Sequence, residues 1–292
     1  IFKTGSTRAA RYFPREAALP ERRIKRDFDL DGLDESGVYE DIAITLTLSQ
    51  LPDNVESIVH YSFTEMLNNA IDHSMADQCT VEVALDSTHL KFSVRDKGIG
   101  VFHSIADKYD LRDEHAAMIE LVKGKTTTQP EAHSGEGIFF VSKAADRFVL
   151  RSHRTQIEWD RDRNDVFVSQ PRFLQGTSVQ FEIRVDSRTR LKSVFDEFAP
   201  ERYDFRFEKT RVLVKLLRRE YVSRSEAKRL LHNLDKFSEI ELDMRDVASI
   251  GQGFADEVFR VFVSAHPGIV IYTVNAGKAI EAMVQHVRKG SR

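Results

Sequence analysis

The sequence contains very little cysteine: Cys79 is the only one in 292 residues, so an internal disulfide framework is excluded. Long apolar runs are missing too, since none approaches the roughly 18 residues of a membrane helix, and no signal-peptide pattern opens the chain. These absences predict a cytoplasmic protein in a reducing compartment. The chain begins at Ile1 rather than at methionine, so we expect that preceding residues are missing from it.

An excess of either charge is also missing. The chain carries 43 Lys and Arg residues against 46 Asp and Glu residues, which gives a formal net charge of -3. This balance provides no basic field for nucleic acid across the chain as a whole, so any basic patch must be local. Hydrophobic residues make up 41% of the sequence, which at this length is enough material for two compact units.

A long amphipathic helix is predicted between residues 53 and 74. Apolar side chains recur there at steps of three and four, the pattern of a helix with one buried stripe: Val55, Ile58, Val59, Phe63, Met66, Leu67, Ala70 and Ile71. Glu65 and Asn69 are four residues apart, so they share one face beside that stripe. The pair is either an ordinary solvated flank or a half-buried pair of functional groups, and the motifs downstream favour the second interpretation.

The next informative stretch, residues 79–102, predicts an antiparallel hairpin with one buried face. Its second strand runs into Asp96, Gly98 and Gly100. Glycines two apart let the backbone approach a ligand closely, and an aspartate at a strand end can accept a hydrogen bond from an amine in a pocket. Taken alone, this motif is also a common turn.

A segment without sustained apolar periodicity follows, from residue 103 to residue 134. Long loops inside compact domains are commonly functional, so we expect a mobile lid here. Gly135, Glu136 and Gly137 then begin a helix, and the free backbone amides of a glycine-flanked helix start favour phosphate. A glycine-softened helix cap is the simpler alternative.

Short strands are expected after that helix, and Gly176-Thr177 begins the last of them. Four motifs now stand in a fixed order: Glu65 with Asn69, Asp96 with Gly98 and Gly100, Gly135 with Gly137, and Gly176 with Thr177. This order resembles the four nucleotide-binding boxes of the GHKL superfamily of ATP-binding domains, shared by gyrase, the large heat-shock chaperone, histidine kinases and MutL. The resemblance covers about residues 37–186.

The resemblance implies ATP and Mg²⁺ as ligands and assigns roles residue by residue. Asn69 matches the magnesium ligand, Asp96 the acceptor for the adenine amine, and Gly98 and Gly100 the turn beneath the base. Gly135 and Gly137 match the phosphate-binding glycines, and Thr177 lies beside the adenine site. Further nucleotide contacts are expected from the same region of the family site, at Asp72, Lys125, Thr126, Ser134 and Glu136.

Glu65 is the candidate catalytic residue. It matches the general base of the family's ATPases and of the small serine kinases that act as anti-sigma factors, and a carboxylate there could polarise water or a hydroxyl for attack on the γ-phosphate. Three outcomes stay open: ATP is only sensed, is slowly hydrolysed, or is used to phosphorylate a separate protein on serine or threonine. No phosphoacceptor histidine in a dimerisation hairpin is visible, which disfavours a sensor kinase.

Strand and helix patterns alternate after residue 206, which predicts a small α/β layer with some parallel pairing. The arrangement resembles a STAS-like domain, related to anti-anti-sigma factors, over roughly residues 206–290. Phosphorylatable members carry a serine at the start of one helix, where this chain has Gln252 or Gly253, and the nearest hydroxyl, Ser249, lies a few residues early. The glycine-rich helix start therefore suggests a docking surface, or a tight turn that serves only packing.

The predicted fold class is α+β: a GHKL (Bergerat) α/β sandwich with helices on one face of a mixed sheet, followed by the STAS-like α/β domain. We expect the ATP-binding domain over 37–186, a linker over 187–205 and the STAS-like domain over 206–292. Residues 1–36 resemble the wing of a truncated winged-helix domain followed by a charged linker, although a frayed basic tail is the alternative.

The expected partners are ATP, DNA bound through a missing N-terminal domain, and a protein bound through the STAS-like domain. A homodimer is compatible with this arrangement, and no membrane partner is expected.

Overall fold

The structure, a computed structural model, describes residues 2–4, 11–13, 21–126, 135–216 and 220–289. The chain forms two compact units, and each is assembled from two separate stretches of sequence. Ile1–Met118 and Thr127–Val194 make the first, and Ile119–Thr126 and Phe195–Arg292 make the second. None of the helices in the described ranges has the length and apolarity that a membrane crossing demands.

The first unit is built on a seven-stranded sheet in the order β3-β4-β5-β9-β6-β7-β8. A separate antiparallel pair precedes it. The strands are β1 (Phe2–Thr4), β2 (Arg11–Phe13), β3 (Arg22–Asp29), β4 (Gln78–Leu85), β5 (His89–Asp96), β6 (Arg147–His153), β7 (Thr155–Asp160), β8 (Asp165–Ser169) and β9 (Leu174–Arg184). All six pairings within the large sheet are antiparallel, so the sheet is not mixed as the sequence led us to expect.

The α-helices of this unit include α1 (Glu35–Leu46), α2 (Asp53–His73), α3 (Val101–Lys108), α4 (Glu114–Lys123), which ends in the second unit, and α5 (Gly137–Ala144). The predicted long helix is confirmed as α2, whose apolar stripe is buried as expected except at Ile71, which is half-buried. Phe63 of α2 meets Phe92 of β5 edge to face at 5.5 Å, and Phe92 stacks on Phe181 of β9 at 4.7 Å. This aromatic contact fixes α2, and with it Glu65 and Asn69, against the sheet.

The edge strand β3 lies where the sequence suggested a linker. It pairs with β4 along its whole length, from Arg22 with Leu85 to Asp29 with Gln78. Most of its side chains are exposed or half-buried, so apolar alternation, the usual signal of a strand, is weak. Charged residues are common on edge strands because they discourage pairing with another chain.

The second unit contains a parallel three-stranded sheet in the order β10-β12-β14 and a parallel two-stranded pair, β11 with β13. The predicted parallel pairing is thus confirmed. The strands are β10 (Lys209–Leu213), β11 (Glu220–Tyr221), β12 (Glu239–Asp243), β13 (Ser249–Ile250) and β14 (Val270–Val274). The helices are α6 (Leu191–Phe198), which begins in the first unit, α7 (Arg224–Leu231), α8 (Gln252–Asp256), α9 (Val263–Ala265) and α10 (Lys278–Lys289).

Helix α6 lies inside the expected linker, and a π-helical segment, Glu257–Phe262, joins α8 to α9. Val194 and Phe198 of α6 are buried, which places one face of this short, charged helix in a core. The division between the two units falls within α6, at Val194 and Phe195. The fold class predicted from the sequence, an ATPase-type α+β sandwich and a small α/β domain, is confirmed.

Candidate functional site

The C-terminal end of α2 packs directly on the loop that follows β5. Ser74, at the end of the helix, accepts a hydrogen bond from Ile99 N at 2.9 Å. A Cβ atom on Gly98 would lie 1.8 Å from Ser74 O, so only glycine fits there. This close approach joins the helix that carries Glu65 and Asn69 to the glycine motif that follows Asp96.

Asp96 ends β5, and its side chain is buried. Its Oδ1 accepts two backbone hydrogen bonds, from Gly98 N at 2.8 Å and from Thr177 N at 3.1 Å. Burial raises the pKa of Asp96, while these two donors act in the opposite direction. Within the described residues Oδ2 accepts no hydrogen bond, so one oxygen of a fixed carboxylate is available to a ligand.

Thr177 connects the start of β9 to the other side of the same loop. Its backbone N–H donates to Asp96, and its Oγ1 accepts from Val101 N at 3.0 Å, at the start of α3. Gly100, with φ +82, lies just before that helix, and a Cβ atom there would lie 2.5 Å from Ser152 Oγ. The backbone around Asp96 is therefore held by contacts with α2, β9 and the start of α3. It needs glycine where these contacts leave no room for a Cβ atom.

Glu65 lies against the start of α5. A Cβ atom on Gly137 would lie 2.0 Å from Glu65 Oε2, so the carboxylate occupies the space that any other residue at 137 would fill. Burial raises the pKa of Tyr61, one helical turn before Glu65, and the negative charges of Glu65 and Glu136 raise it further. The Tyr61 phenol thus lies close enough to the carboxylates of Glu65 and Glu136, near the start of α5, for their charges to affect its pKa.

Asn69 lies on α2, one turn after Glu65. Its Nδ2 is buried, and no hydrogen-bond acceptor for it exists among the residues that the structure describes. A buried amide donor without an acceptor costs about 1–3 kcal/mol, so this nitrogen is suited to donate to an acceptor atom of a ligand. The structure therefore places Glu65 against the start of α5, with Asn69 one helical turn further along α2.

The other residues implied by the resemblance fall into three groups. Asp72 lies in the last turn of α2, and Gly135, with φ +73, and Glu136 immediately precede α5. Lys125 and Thr126 belong to the second unit and form their bonds within it. Ser134 lies outside the described residues. Roles for all of these in nucleotide binding stay predictions.

Tyr61 and Ser74 are neighbours of the site that the sequence interpretation did not include. Tyr61 occupies a half-buried aromatic position near the apolar stripe of α2, where packing is the ordinary explanation. Ser74 contributes its carbonyl oxygen, which any residue type would supply, so its identity carried no signal. The positions of the two glycine motifs could have indicated that another part of the chain lay close against them.

Two family models match this chain. The model of the histidine kinase-like ATPase domain matches residues 40–159, and that of the STAS-like domain of unknown function (DUF4325) matches residues 226–281. No curated protein matched the chain. The chain thus contains a histidine kinase-like ATPase domain followed by a STAS-like domain. The first match covers Glu65, Asn69, Asp96 and both glycine motifs up to Gly137, and an ATPase domain of this kind binds ATP.

Proposed function

We propose that the protein is a Mg-ATP-dependent regulator in which nucleotide binding closes a lid within the segment 103–134, and the closure is passed to the STAS-like domain. The arrangement of Asp96 carries the proposal. Its Oδ1 is fixed by Gly98 N and Thr177 N, and its Oδ2 accepts no hydrogen bond in the described part of the chain. A buried carboxylate oxygen held in that way is suited to accept the exocyclic amine of adenine.

Asn69 is the residue best placed to hold Mg²⁺. No three His, Cys, Asp or Glu side chains converge as a metal site in the described ranges, so ATP phosphates would have to supply further ligands. The orphaned Nδ2 fits this arrangement, because a phosphate oxygen would satisfy the amide nitrogen while Oδ1 faces the metal. When bound, Mg²⁺ would offset the charge of the phosphates.

Glu65 is the residue that we assign to turnover. Its carboxylate lies against Gly137 at the start of α5, and the backbone amides of a helix start favour phosphate. A γ-phosphate bound there would lie beside Glu65, which could take a proton from the attacking water. Tyr61, one turn away, would help to hold that carboxylate in place.

We further propose that the regulator acts on DNA through residues that precede this sequence, consistent with the basic strands β1 and β2. Basic residues lie at or near these paired strands, namely Lys3, Arg8 and Arg11, of which Arg8 is outside the described residues. The alternative is an anti-sigma-type serine or threonine kinase that transfers the γ-phosphate to a separate protein. Glu65 would serve either reaction, because water and a hydroxyl need the same base.

Incubation with ATP labelled in the γ-phosphate separates these reactions. Release of free labelled phosphate supports the regulator with slow ATPase activity, and label on this chain or on an added protein supports the kinase. Binding of ATP by calorimetry with neither product supports a pure sensor. Failure to bind ATP in the presence of Mg²⁺ would refute the assignment of the site as a whole.

A further inference from the structure

A short segment of the chain, residues 119–126, lies between two nucleotide-binding motifs in the sequence but belongs to the second unit. Helix α4 therefore begins at Glu114 in the first unit and ends at Lys123 in the second. We call residues 119–126 the inserted segment. Its contacts within the second unit show how firmly the end of this helix is held there.

Lys123 is the centre of these contacts. Its side chain is 1% exposed, and its ammonium donates to Glu120 Oε1 at 2.6 Å and to the backbone oxygens of His232 at 2.9 Å and Arg229 at 3.5 Å. The two carbonyls belong to the last turn and cap of α7, where the helix dipole favours a cation. Burial lowers the pKa of Lys123, and the charge of Glu120 opposes that shift.

Glu120 is also buried and has partners for both of its oxygens. Oε2 accepts a hydrogen bond from Asn233 Nδ2 at 2.9 Å, and Oε1 lies 3.4 Å from His232 Nδ1. The backbone of the segment is bound as well, because Thr210 Oγ1 of β10 donates to Lys123 O at 2.6 Å. The ion pair is thus surrounded by α7, the turn after it and the parallel sheet.

Lys125 extends the attachment beyond the helix. Its ammonium donates to Lys236 O at 2.8 Å, pairs with Glu208 Oε1 at 3.3 Å, and lies 4.8 Å from the centre of the Phe237 ring. These contacts and those of Lys123 show that the inserted segment is an integral part of the second unit. Removing one partner of such a buried pair leaves an uncompensated charge, so the segment cannot slide without disturbing its neighbours.

The other end of α4 is attached next to the nucleotide site. Glu114, its first residue, places Oε1 2.5 Å from His153 Nδ1. A Cβ atom on Gly100, the glycine assigned to the turn beneath the base, would lie 2.9 Å from His153 Nε2. A change in the backbone at Gly100 would therefore press on His153, which holds the start of α4.

We propose that α4 transmits the nucleotide state of the ATPase domain to the STAS-like domain, with Glu120 and Lys123 as its anchor there. This rests on the proposed function, since it needs ATP to bind at the site of Asp96. When nucleotide binding moves the start of α4, Lys123 moves with it. Because Lys123 is hydrogen-bonded to the end of α7 and to β10, these two elements move as well. The STAS-like domain thereby responds to ATP without binding nucleotide itself.

Hydrogen exchange of the full-length chain, with and without Mg-ATP, tests this coupling. We expect ATP to change the exchange of peptides that cover α7 and β10 in the parent protein. In Lys123→Met that change should be lost, although calorimetry should still detect ATP binding. Lys228→Met is the matched control, because Lys228 lies exposed on α7, and it should keep the response.

Thr210→Val is a milder second variant, which loses only the hydroxyl that donates to Lys123 O. It should weaken the response of β10, and it decides the question if Lys123→Met fails to fold. The coupling would be overturned if the parent bound ATP without any change in the exchange of α7 and β10, or if both variants kept the full response. The proposed function would not be affected by either result. Absence of ATP binding would overturn the proposed function as well, so the two failures are distinguishable.

Discussion

Gly176 and Asp96 lie so close together that no side chain fits between them. A Cβ atom on Gly176 would lie 2.5 Å from both Asp96 O and Asp96 Oδ1, and the residue has φ +76. Oδ1 is the oxygen that already accepts the Gly98 and Thr177 amides. Glycine at position 176 therefore allows the Asp96 carboxylate to keep the orientation in which we expect it to bind adenine.

Gly176→Ala should abolish ATP binding, because the added methyl group would push Asp96 away from its two amide donors. Calorimetry measures the loss. Gly32→Ala is the matched control: Gly32 has φ +68 but nothing within 4 Å of an added Cβ, so it isolates the cost of the left-handed backbone, about 1 kcal/mol. If Gly176→Ala bound ATP as tightly as Gly32→Ala does, the argument that an added methyl group displaces Asp96 would be wrong.

Asp96→Asn should weaken ATP binding by at least about tenfold and leave the fold intact, since the volume hardly changes. The two backbone amides need an acceptor, so the amide oxygen should turn toward them and present its NH₂ group to the adenine amine, donor against donor. Calorimetry gives the affinity and circular dichroism checks the fold. Asp31→Asn, at an exposed position in the turn after β3, is the control, and unchanged affinity in Asp96→Asn would remove the adenine assignment.

Asn69→Ala should weaken ATP binding mainly when Mg²⁺ is present, because the amide is assigned to the metal and its phosphates. Titrations with Mg²⁺ and with a chelator provide the comparison. Without nucleotide the variant should be nearly as stable as the parent. The buried Nδ2 has no hydrogen-bond partner to lose among the described residues. The same loss of affinity with and without the metal would point to a structural role.

Glu65→Ala should separate binding from turnover. The loss of a general base lowers the rate by roughly 10²-fold or more, whereas ATP affinity should survive. If the parent hydrolyses ATP, the variant should keep the segment from Phe102 to Ser134 protected from protease in Mg-ATP for longer. Glu40→Ala, at an exposed position on α1, should behave as the parent does. Identical time courses in Glu65→Ala and the parent would indicate a sensor that releases ATP intact.

The thiol of Cys79 should react slowly at neutral pH. Burial raises its pKa to about 11, and the charge of Asp96, its cross-strand neighbour, adds to the shift. A folded pKa above the unfolded value of 9.0 means that the associated stability is present below pH 9 and is lost as the pH rises toward 11. Cys79→Ala should show a shallower loss of stability across that interval in denaturant titrations, and rapid labelling of the native thiol at pH 7 would be inconsistent with its burial.

The motifs of the ATPase domain could be predicted because each depends on local rules. The apolar stripe of α2 predicted that Glu65 and Asn69 share one face of the helix. The glycines at 98 and 137 indicated places where another group approaches closely, which is Ser74 O at Gly98 and Glu65 at Gly137. The identity of those neighbours was not predictable, since Ser74 acts through its backbone and Glu65 meets Gly137 across a long stretch of sequence.

Two elements and one buried residue were missed for physical reasons. Strand β3 carries mostly charged residues because it lies at a sheet edge, and α6 is short, with three charged residues among its eight. A basic residue at a helix end, such as Lys123, is ordinarily exposed, so its residue type gives no sign of burial. Its burial depends on carbonyls of α7 more than a hundred residues later, and no local pattern announces such a partner.

The inserted segment also limits how this architecture can be inherited. Recombination that joins complete domains end to end would bring a STAS-like domain beginning near Phe195 without residues 119–126. The recipient would then lack the cation for the α7 carbonyls and the backbone oxygen that Thr210 binds. A chimaera made by exchanging one of the two domains therefore needs the inserted segment to be carried over with the second unit.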